Sequence, residues 1–164
     1  SALRAFSNAS LASSHFNFSV PEPTGVVSII APEESGLLGL ISVIAPAITG
    51  GNTVVVLASQ SKPLCAITLS EVFNSSDLPA GVVNILTGYR SELLEHFTTH
   101  MDVNAVLYTG TDLKDIETVR KNSAVNVKRS IIKDLSDWSK EEVQNPYFIL
   151  DFLEIKTTWH PIGY

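Results

Sequence analysis

The chain has 164 residues and a mass of 17.7 kDa, a length that suits one domain with a buried core. Apolar residues make up 45% of it and charged residues 17%, which excludes a disordered tail, a collagen-like fibre and a disulfide scaffold. The net charge of -6, with only 11 Lys and Arg, argues against nucleic acid as a partner, because phosphate contacts need clustered cations.

The single cysteine, Cys65, cannot form a disulfide within the chain. The longest apolar stretch, residues 37–53, contains Pro46 and ends in a Gly-Gly-Asn run, and the first residues lack the apolar core of a signal peptide. We therefore expect a cytoplasmic protein that does not span or bind a membrane. The chain starts at Ser1 without an initiator methionine, so we also expect it to be part of something longer.

The chain order begins with an N-terminal arm over residues 1–20, in which residues 15–20 alternate loosely and predict an edge strand. Five short apolar runs then predict strands at 26–31, 53–58, 82–86, 105–108 and 127–132. Helices are predicted between them at 36–49, 62–74 and 92–99, with a fourth that Thr111 caps and that runs to about residue 122. Continuous apolar strands indicate that both faces of the sheet are covered, so we predict an α/β fold with a Rossmann-like, doubly wound, mostly parallel five-stranded sheet.

Residues 1–134 form the predicted domain, and the rest of the chain differs from it. Residues 135–146 are polar and predict a linker or short helix, and residues 147–164 are predicted to hold a long terminal strand over 147–159. A lone strand leaves its backbone groups unpaired, so it must join a sheet of this chain or of a partner. We favour the partner, with Phe152, Ile155 and Trp159 as interface residues.

Several residues invite a chemical interpretation that the pattern does not support. In helix 62–74, Leu64, Ile67, Leu69 and Val72 lie near one side, and Cys65 is interpreted as a small buried residue rather than a nucleophile. His96 and His100 have the i, i+4 spacing of metal ligands but no third ligand, so no metal site is expected. Glu33 and Glu34 are interpreted as the acidic first turn of a helix rather than as an acid/base pair.

Five sequence blocks resemble the cofactor domain of the aldehyde dehydrogenase superfamily, in that family's order and spacing. They are residues 23–27 (PTGVV), 45–56 (APAITGGNTVVV), 78–88 (LPAGVVNILTG), 108–111 (YTGT) and 126–129 (NVKR). Residues 152–159 (FLEIKTTW) resemble that family's last, oligomer-forming strand. The resemblance implies a nicotinamide cofactor site, a thiolate that attacks the aldehyde, an amide that stabilises the oxyanion and a glutamate that activates water.

The catalytic positions that the resemblance assigns are degenerate in this sequence. Glu34 stands where the oxyanion-stabilising Asn belongs, and Lys133 stands where the general-base glutamate belongs. A thiol-bearing domain is expected after the glutamate strand, but a short polar segment leads directly to the last strand. We therefore expect no catalytic residues and no aldehyde oxidation by this chain.

The cofactor positions are degenerate as well. Leu57 and Gln60 replace the residues that hold the adenosine ribose, Arg90 replaces a glycine near the adenine pocket, and Asp115 replaces the last glycine of the pyrophosphate loop. The remaining candidates for binding NAD(P) are Gly110, Thr111, Pro32 and Gly88. We expect no cofactor, and residual NAD(P) binding is the open alternative.

These observations give three hypotheses. The first is a non-catalytic aldehyde-dehydrogenase-like domain with a structural, chain-joining role, similar to the second module of the two-module family 16 enzymes. Its partners would be further copies of the chain, as a dimer or larger assembly, or a companion aldehyde dehydrogenase module. The second is a nucleotide-binding module without chemistry, and the third is an enzyme fragment completed by a partner.

Overall fold

A five-stranded parallel sheet forms the centre of the molecule. The computed structural model describes residues 15–161, so residues 1–14 of the predicted arm lie outside the described part. The strands are β2 (Val26–Ile30), β3 (Thr53–Leu57), β4 (Val83–Leu86), β5 (Ala105–Thr109) and β6 (Arg129–Lys133), and β1 (His15–Pro23) precedes them in the chain. Their order is β4-β3-β2-β5-β6, with every pairing parallel, which confirms the predicted fold class.

Two helices cover each face of the sheet. Helices α1 (Leu38–Thr49) and α2 (Pro63–Asn74) pack on one face, and α3 (Arg90–Thr99) and α4 (Leu113–Val125) pack on the other. Because side chains alternate along a strand, Val27 and Ile29 of β2 join the first core while Ile30 joins the second. None of the helices in residues 15–161 is long and apolar enough to cross a membrane.

Helix α2 presents a different face to the sheet from the one expected. Ala66 and Leu69 are buried and Phe73 packs against them, because these positions repeat at helical spacing. Leu64, Ile67 and Val72 are exposed on the other side. Cys65 is half-buried rather than buried, and its thiol is free.

The terminal strand pairs within its own chain. Strands β1 (His15–Pro23) and β7 (Leu153–Pro161) form a separate two-stranded antiparallel sheet, here called the arm. Strand β1 runs three residues beyond the predicted edge strand of 15–20 and includes Pro21 and Pro23, since proline is tolerated in an edge strand. The alternative in which the last strand pairs inside its own chain is therefore the arrangement seen.

The segment between β6 and β7 is part of the core. It contains two 3-10 helices, Glu141–Gln144 and Pro146–Phe152, so β7 starts at Leu153 rather than at residue 147. Trp138 and Val143, from the predicted linker, are buried against α1. Phe152, predicted as an interface residue, is 1% exposed in the same core, so that prediction is wrong: burial inside its own chain removes it from the surface.

Hydrogen bonds fasten this segment to the sheet. The Arg129 guanidinium donates to the carbonyl oxygens of Asp151 and Leu153 at 3.0 and 2.7 Å. The Asn52 side chain donates to the carbonyl oxygen of Phe152 at 3.0 Å. Residues 134–152, here called the C-terminal segment, are therefore a packed part of the domain rather than a linker.

Candidate functional site

The sequence-predicted site residues meet at one edge of the sheet. Pro32 and Glu34 follow β2, Gly88 follows β4, Gly110 follows β5, and Lys133 ends β6. Because the strands are parallel, all these positions lie at the carboxyl ends of the strands. The chain turns in opposite directions after β2 and β5, which makes their shared end the place where α/β sheets bind ligands.

The turn from β5 into α4 has a glycine shortly before a helix start, as phosphate-binding loops of α/β folds do. Gly110 has φ +152, and a Cβ there would lie 3.0 Å from the Tyr108 hydroxyl oxygen, so the position requires glycine. The helix cap is Asp112 rather than the predicted Thr111: its Oδ1 accepts from the backbone nitrogens of Lys114 and Asp115 at 2.8 and 3.3 Å. Thr111 is exposed beside it.

Arg90, Tyr108 and Asp115 form a bridge across this edge. The hydroxyl group of Tyr108, which is fully buried, donates to Asp115 Oδ2 at 3.0 Å. The Arg90 guanidinium lies 4.0 Å from the same oxygen and 5.5 Å from the centre of the Tyr108 ring, and it donates to the carbonyl oxygen of Ala31 at 3.3 Å. Burial, together with the bond to Asp115, raises the pKa of Tyr108 to about 12.

Glu33 ties two loops of this edge together. Its carboxylate accepts from the backbone nitrogens of Gln60 and Ser61 at 3.0 and 2.6 Å and from the Ser59 hydroxyl at 3.2 Å. Partial burial acts to raise the pKa of Glu33, but the hydrogen bonds outweigh it and lower that pKa. Helix α1 starts only at Leu38, so Glu33 is a clamp between loops, and the expectation of a first helical turn here is wrong.

Pro32, Glu34 and Gly88 contribute shape rather than chemistry. Pro32 is buried, and it lies so close to Gly39 that a Cβ there would collide with the proline ring. A Cβ at Gly88 would lie 2.8 Å from the Leu93 side chain. Glu34 has an exposed side chain, and its backbone carbonyl accepts from Lys62 Nζ.

Lys133 is held by the C-terminal segment. Its Nζ lies 2.8 Å from Asp151 Oδ2 and 3.0 Å from the centre of the Phe148 ring, and its side chain is 11% exposed. Burial lowers the pKa of Lys133, and the bond to Asp151 partly offsets that fall. Asp151 was not identified from the sequence, although a buried lysine requires a nearby anion.

The histidine pair with metal-ligand spacing and the two remaining interface candidates occupy exposed positions. His96 and His100 lie at the solvated end of α3, and in residues 15–161 no three His, Cys, Asp or Glu residues are placed to hold a metal ion. Ile155 and Trp159 share one face of β7 and are 66% and 58% exposed. They remain candidate interface residues.

Several hydrogen-bond donors at the carboxyl edge are already bonded to carboxylates of this chain. The amides of the α4 start are bonded to Asp112, those of the loop after β3 are bonded to Glu33, and Arg90 is engaged with Asp115. A pyrophosphate needs such donors free and is repelled by carboxylates. The sequence indicated the Asp115 and Arg90 replacements, but their contact depends on the approach of α3 to α4.

Comparisons with known proteins agree on one family. A model of the aldehyde dehydrogenase family matches residues 2–133. The 2-hydroxymuconic semialdehyde dehydrogenase of Pseudomonas sp. strain CF600 is 36% identical over 113 residues, which are 68% of this chain and 23% of that protein. Omega-crystallin of Enteroctopus dofleini is 30% identical over 114 residues, 70% of this chain and 23% of that protein.

Solved structures show the same relationship. The betaine aldehyde dehydrogenase of Staphylococcus aureus in complex with NAD+ superposes with a TM-score of 0.74 at 29% identity, over 79% of this chain and 25% of that one. The chain thus spans less than a quarter of the length of the curated relatives described here.

Proposed function

The chain belongs to the aldehyde dehydrogenase family, and from that premise we propose that it is a non-catalytic member that joins protein chains. The family oxidises aldehydes with NAD(P), and relatives of this chain bind that cofactor. In the proposed role the chain uses the family's fold as a scaffold and the arm as its joining element.

The observation that carries the proposal is the packing of the C-terminal segment. The resemblance assigns the thiol-bearing domain to the stretch after β6, whereas here residues 134–152 run straight to β7 and contain no cysteine. Trp138, Val143 and Phe152 bury this segment in the domain's own core. A segment that packs into its own domain and carries no thiol supports the absence of a family nucleophile at this place in the chain.

The two remaining catalytic positions support the same conclusion. Lys133, at the general-base position, is ion-paired with Asp151 and lies over the Phe148 ring, and an ammonium group has no lone pair with which to take a proton from water. Glu34, at the oxyanion position, would place a negative charge beside a developing oxyanion and oppose the reaction.

The arm supports the joining role. A two-stranded sheet by itself is marginally stable, and within residues 15–161 neither β1 nor β7 has a partner on its outer edge. Phe16, Ile155 and Trp159 are exposed on it, 49%, 66% and 58% respectively. A further strand from a second copy, or from a companion aldehyde dehydrogenase module, would complete the sheet and cover these side chains.

A location in the cytoplasm is part of the proposal. It is supported by the free thiol of Cys65, which suits a reducing compartment.

Two measurements test the function. The purified chain is expected to form no NADH from NAD+ and an aldehyde, and light scattering is expected to give the mass of a dimer or larger assembly. Aldehyde-dependent NADH formation would refute the absence of catalysis. A monomer at high protein concentration, with no companion module present, would refute self-joining.

A second candidate is a nucleotide-binding module without chemistry. The observation that favours it is the positive-φ Gly110 in front of α4, since phosphate-binding loops also place a glycine before a helix start. A thermal-shift titration with NAD+ separates the candidates, since ligand at 100 times its dissociation constant adds about 2.7 kcal/mol of stability.

A further inference from the structure

Three groups of hydrogen-bond donors at the carboxyl edge of the sheet each hold a carboxylate of this chain. The first group is the pair of backbone amides at the start of α4, on Lys114 and Asp115. Both donate to Asp112 Oδ1. The N-terminus of a helix attracts anions, and here the Asp112 carboxylate already occupies the position at which an approaching anion would bind.

The second group lies in the loop after β3. The amides of Gln60 and Ser61 and the hydroxyl of Ser59 converge on the Glu33 carboxylate, with distances of 3.0, 2.6 and 3.2 Å. Successive amides that converge on one anion form the kind of nest that holds phosphates in other proteins. Here the anion is the carboxylate of Glu33, which belongs to the loop after β2.

The third group is the Arg90 guanidinium. It reaches from the start of α3 to the carbonyl oxygen of Ala31 at the end of β2 and to Asp115 in the first turn of α4. Tyr108 lies beneath it and donates to the same carboxylate. Arg90 thus connects the end of β2 with the first turn of α4.

We infer that the Glu33 and Asp115 carboxylates are built-in substitutes for the anionic groups of a dinucleotide and hold this site closed without a ligand. The closed site goes beyond the proposed chain-joining role and decides against the nucleotide-binding candidate. A phosphate must displace a carboxylate that the fold keeps in place, and it must do so beside Glu34 and Asp112, which repel it.

The test is an amide NMR titration of the full 15N-labelled chain with NAD+ and, separately, with inorganic pyrophosphate. The amides of Gln60, Ser61 and Lys114 are expected not to move in the wild type at millimolar ligand. In the double variant Glu33→Ala, Asp115→Ala, the amides of Gln60 and Ser61 and the side-chain N–H of Arg90 lose their carboxylates and are expected to give saturable shifts with pyrophosphate, whereas the Lys114 amide stays bonded to Asp112. The matched control is Glu117→Ala, which removes an exposed carboxylate from the same helix without freeing a donor.

Two results overturn the inference. One is a saturable NAD+ shift at these amides in the wild type, and the other is a folded double variant that does not respond to pyrophosphate. If the double variant does not fold, Glu33→Ala alone carries the same expectation at Gln60 and Ser61. Chain joining is measured separately by mass, so a failure here and a failure of the proposed function give different results.

Discussion

Val127 holds a backbone conformation that its side chain disfavours. Its φ is +57, in the left-handed region, and its β-branched side chain is 91% exposed, so no burial compensates for the strain. We expect Val127→Asn to raise the free energy of unfolding by about 1 kcal/mol, because asparagine tolerates this region.

Urea denaturation measures this effect. The matched control is Val125→Asn, an equally exposed valine at the end of α4, for which a change within about 0.5 kcal/mol is expected. Equal changes in both variants would show that strain at Val127 is not the cause.

Tyr108 gives the fold a dependence on alkaline pH. Its pKa is raised from 10.0 to about 12 in the folded protein, so the folded state holds the phenol proton more tightly than the unfolded state does. The resulting stability is fully present below pH 10 and is lost as the pH rises towards 12. Tyr108→Phe is therefore expected to flatten this part of the pH profile of the free energy of unfolding.

The comparison variant is Tyr147→Phe, which changes a tyrosine that is 73% exposed. It is expected to leave the alkaline profile as in the wild type. An unchanged profile in Tyr108→Phe would contradict the raised pKa of Tyr108, which burial and the bond to Asp115 produce together.

At the scale of elements, the C-terminal segment gives the sharpest prediction. Trp138 is 4% exposed, and its ring fills the core beneath α1. Trp138→Ala is expected to cost about 3 kcal/mol of unfolding free energy, because a large buried ring is replaced by a cavity. A free linker would predict almost no cost.

Far-UV circular dichroism in urea measures the loss. Trp159→Ala is the matched control, since Trp159 is the other tryptophan of the chain and is 58% exposed. A similar small effect from both variants would contradict the packing of this segment.

The regular elements were predictable because their causes are local. Five apolar runs separated by helical periods indicate five buried strands, and the structure places a strand in each of them. The C-terminal segment was misjudged because its polar residues surround two isolated core residues, Trp138 and Val143. The long strand expected from residue 147 begins six residues later, because Pro146 starts a 3-10 helix.

The candidate site was predictable in position but not in detail. Because the strands are parallel, Pro32, Gly88, Gly110 and Lys133 lie at the carboxyl edge of the sheet whatever the conformation of the loops. The contacts of Glu33 with the loop after β3, and of Lys133 with Asp151, join residues that are 28 or fewer positions apart but lie on different elements. No periodicity encodes such meetings, since they depend on how the loops pack.

At the scale of the whole molecule, the arm is separable from the core. A chain that ends at Leu153 keeps the buried Phe152 and Leu153 but removes β7 beyond its first residue. We expect this variant to remain folded and to be monomeric by light scattering. The reason is that the two-stranded sheet of β1 and β7, whose outer edge would pair with a second chain, is then absent.

The control for this deletion is the substitution pair Ile155→Lys, Trp159→Lys, which keeps β7 while charging its exposed apolar face. If backbone pairing at the edge of the arm contributes most of the association, the lysine pair is expected to weaken association less than the deletion does. An assembly that survives loss of β7 would place the joining surface elsewhere on the chain.

The pairing of β1 with β7 also bears on how the protein is made. Ser19 and Thr157, whose hydroxyl groups bond at 2.7 Å, are separated by 138 positions, so this contact closes nearly the whole chain. During synthesis β1 has no partner until β7 has been made, while the more local contacts of the five-stranded sheet can form earlier. In that interval the last strand of a neighbouring chain offers the same register, which is domain swapping. The concentration of newly made chains, and not the native contacts alone, then determines how often β1 pairs with β7 of its own chain and how often with β7 of another.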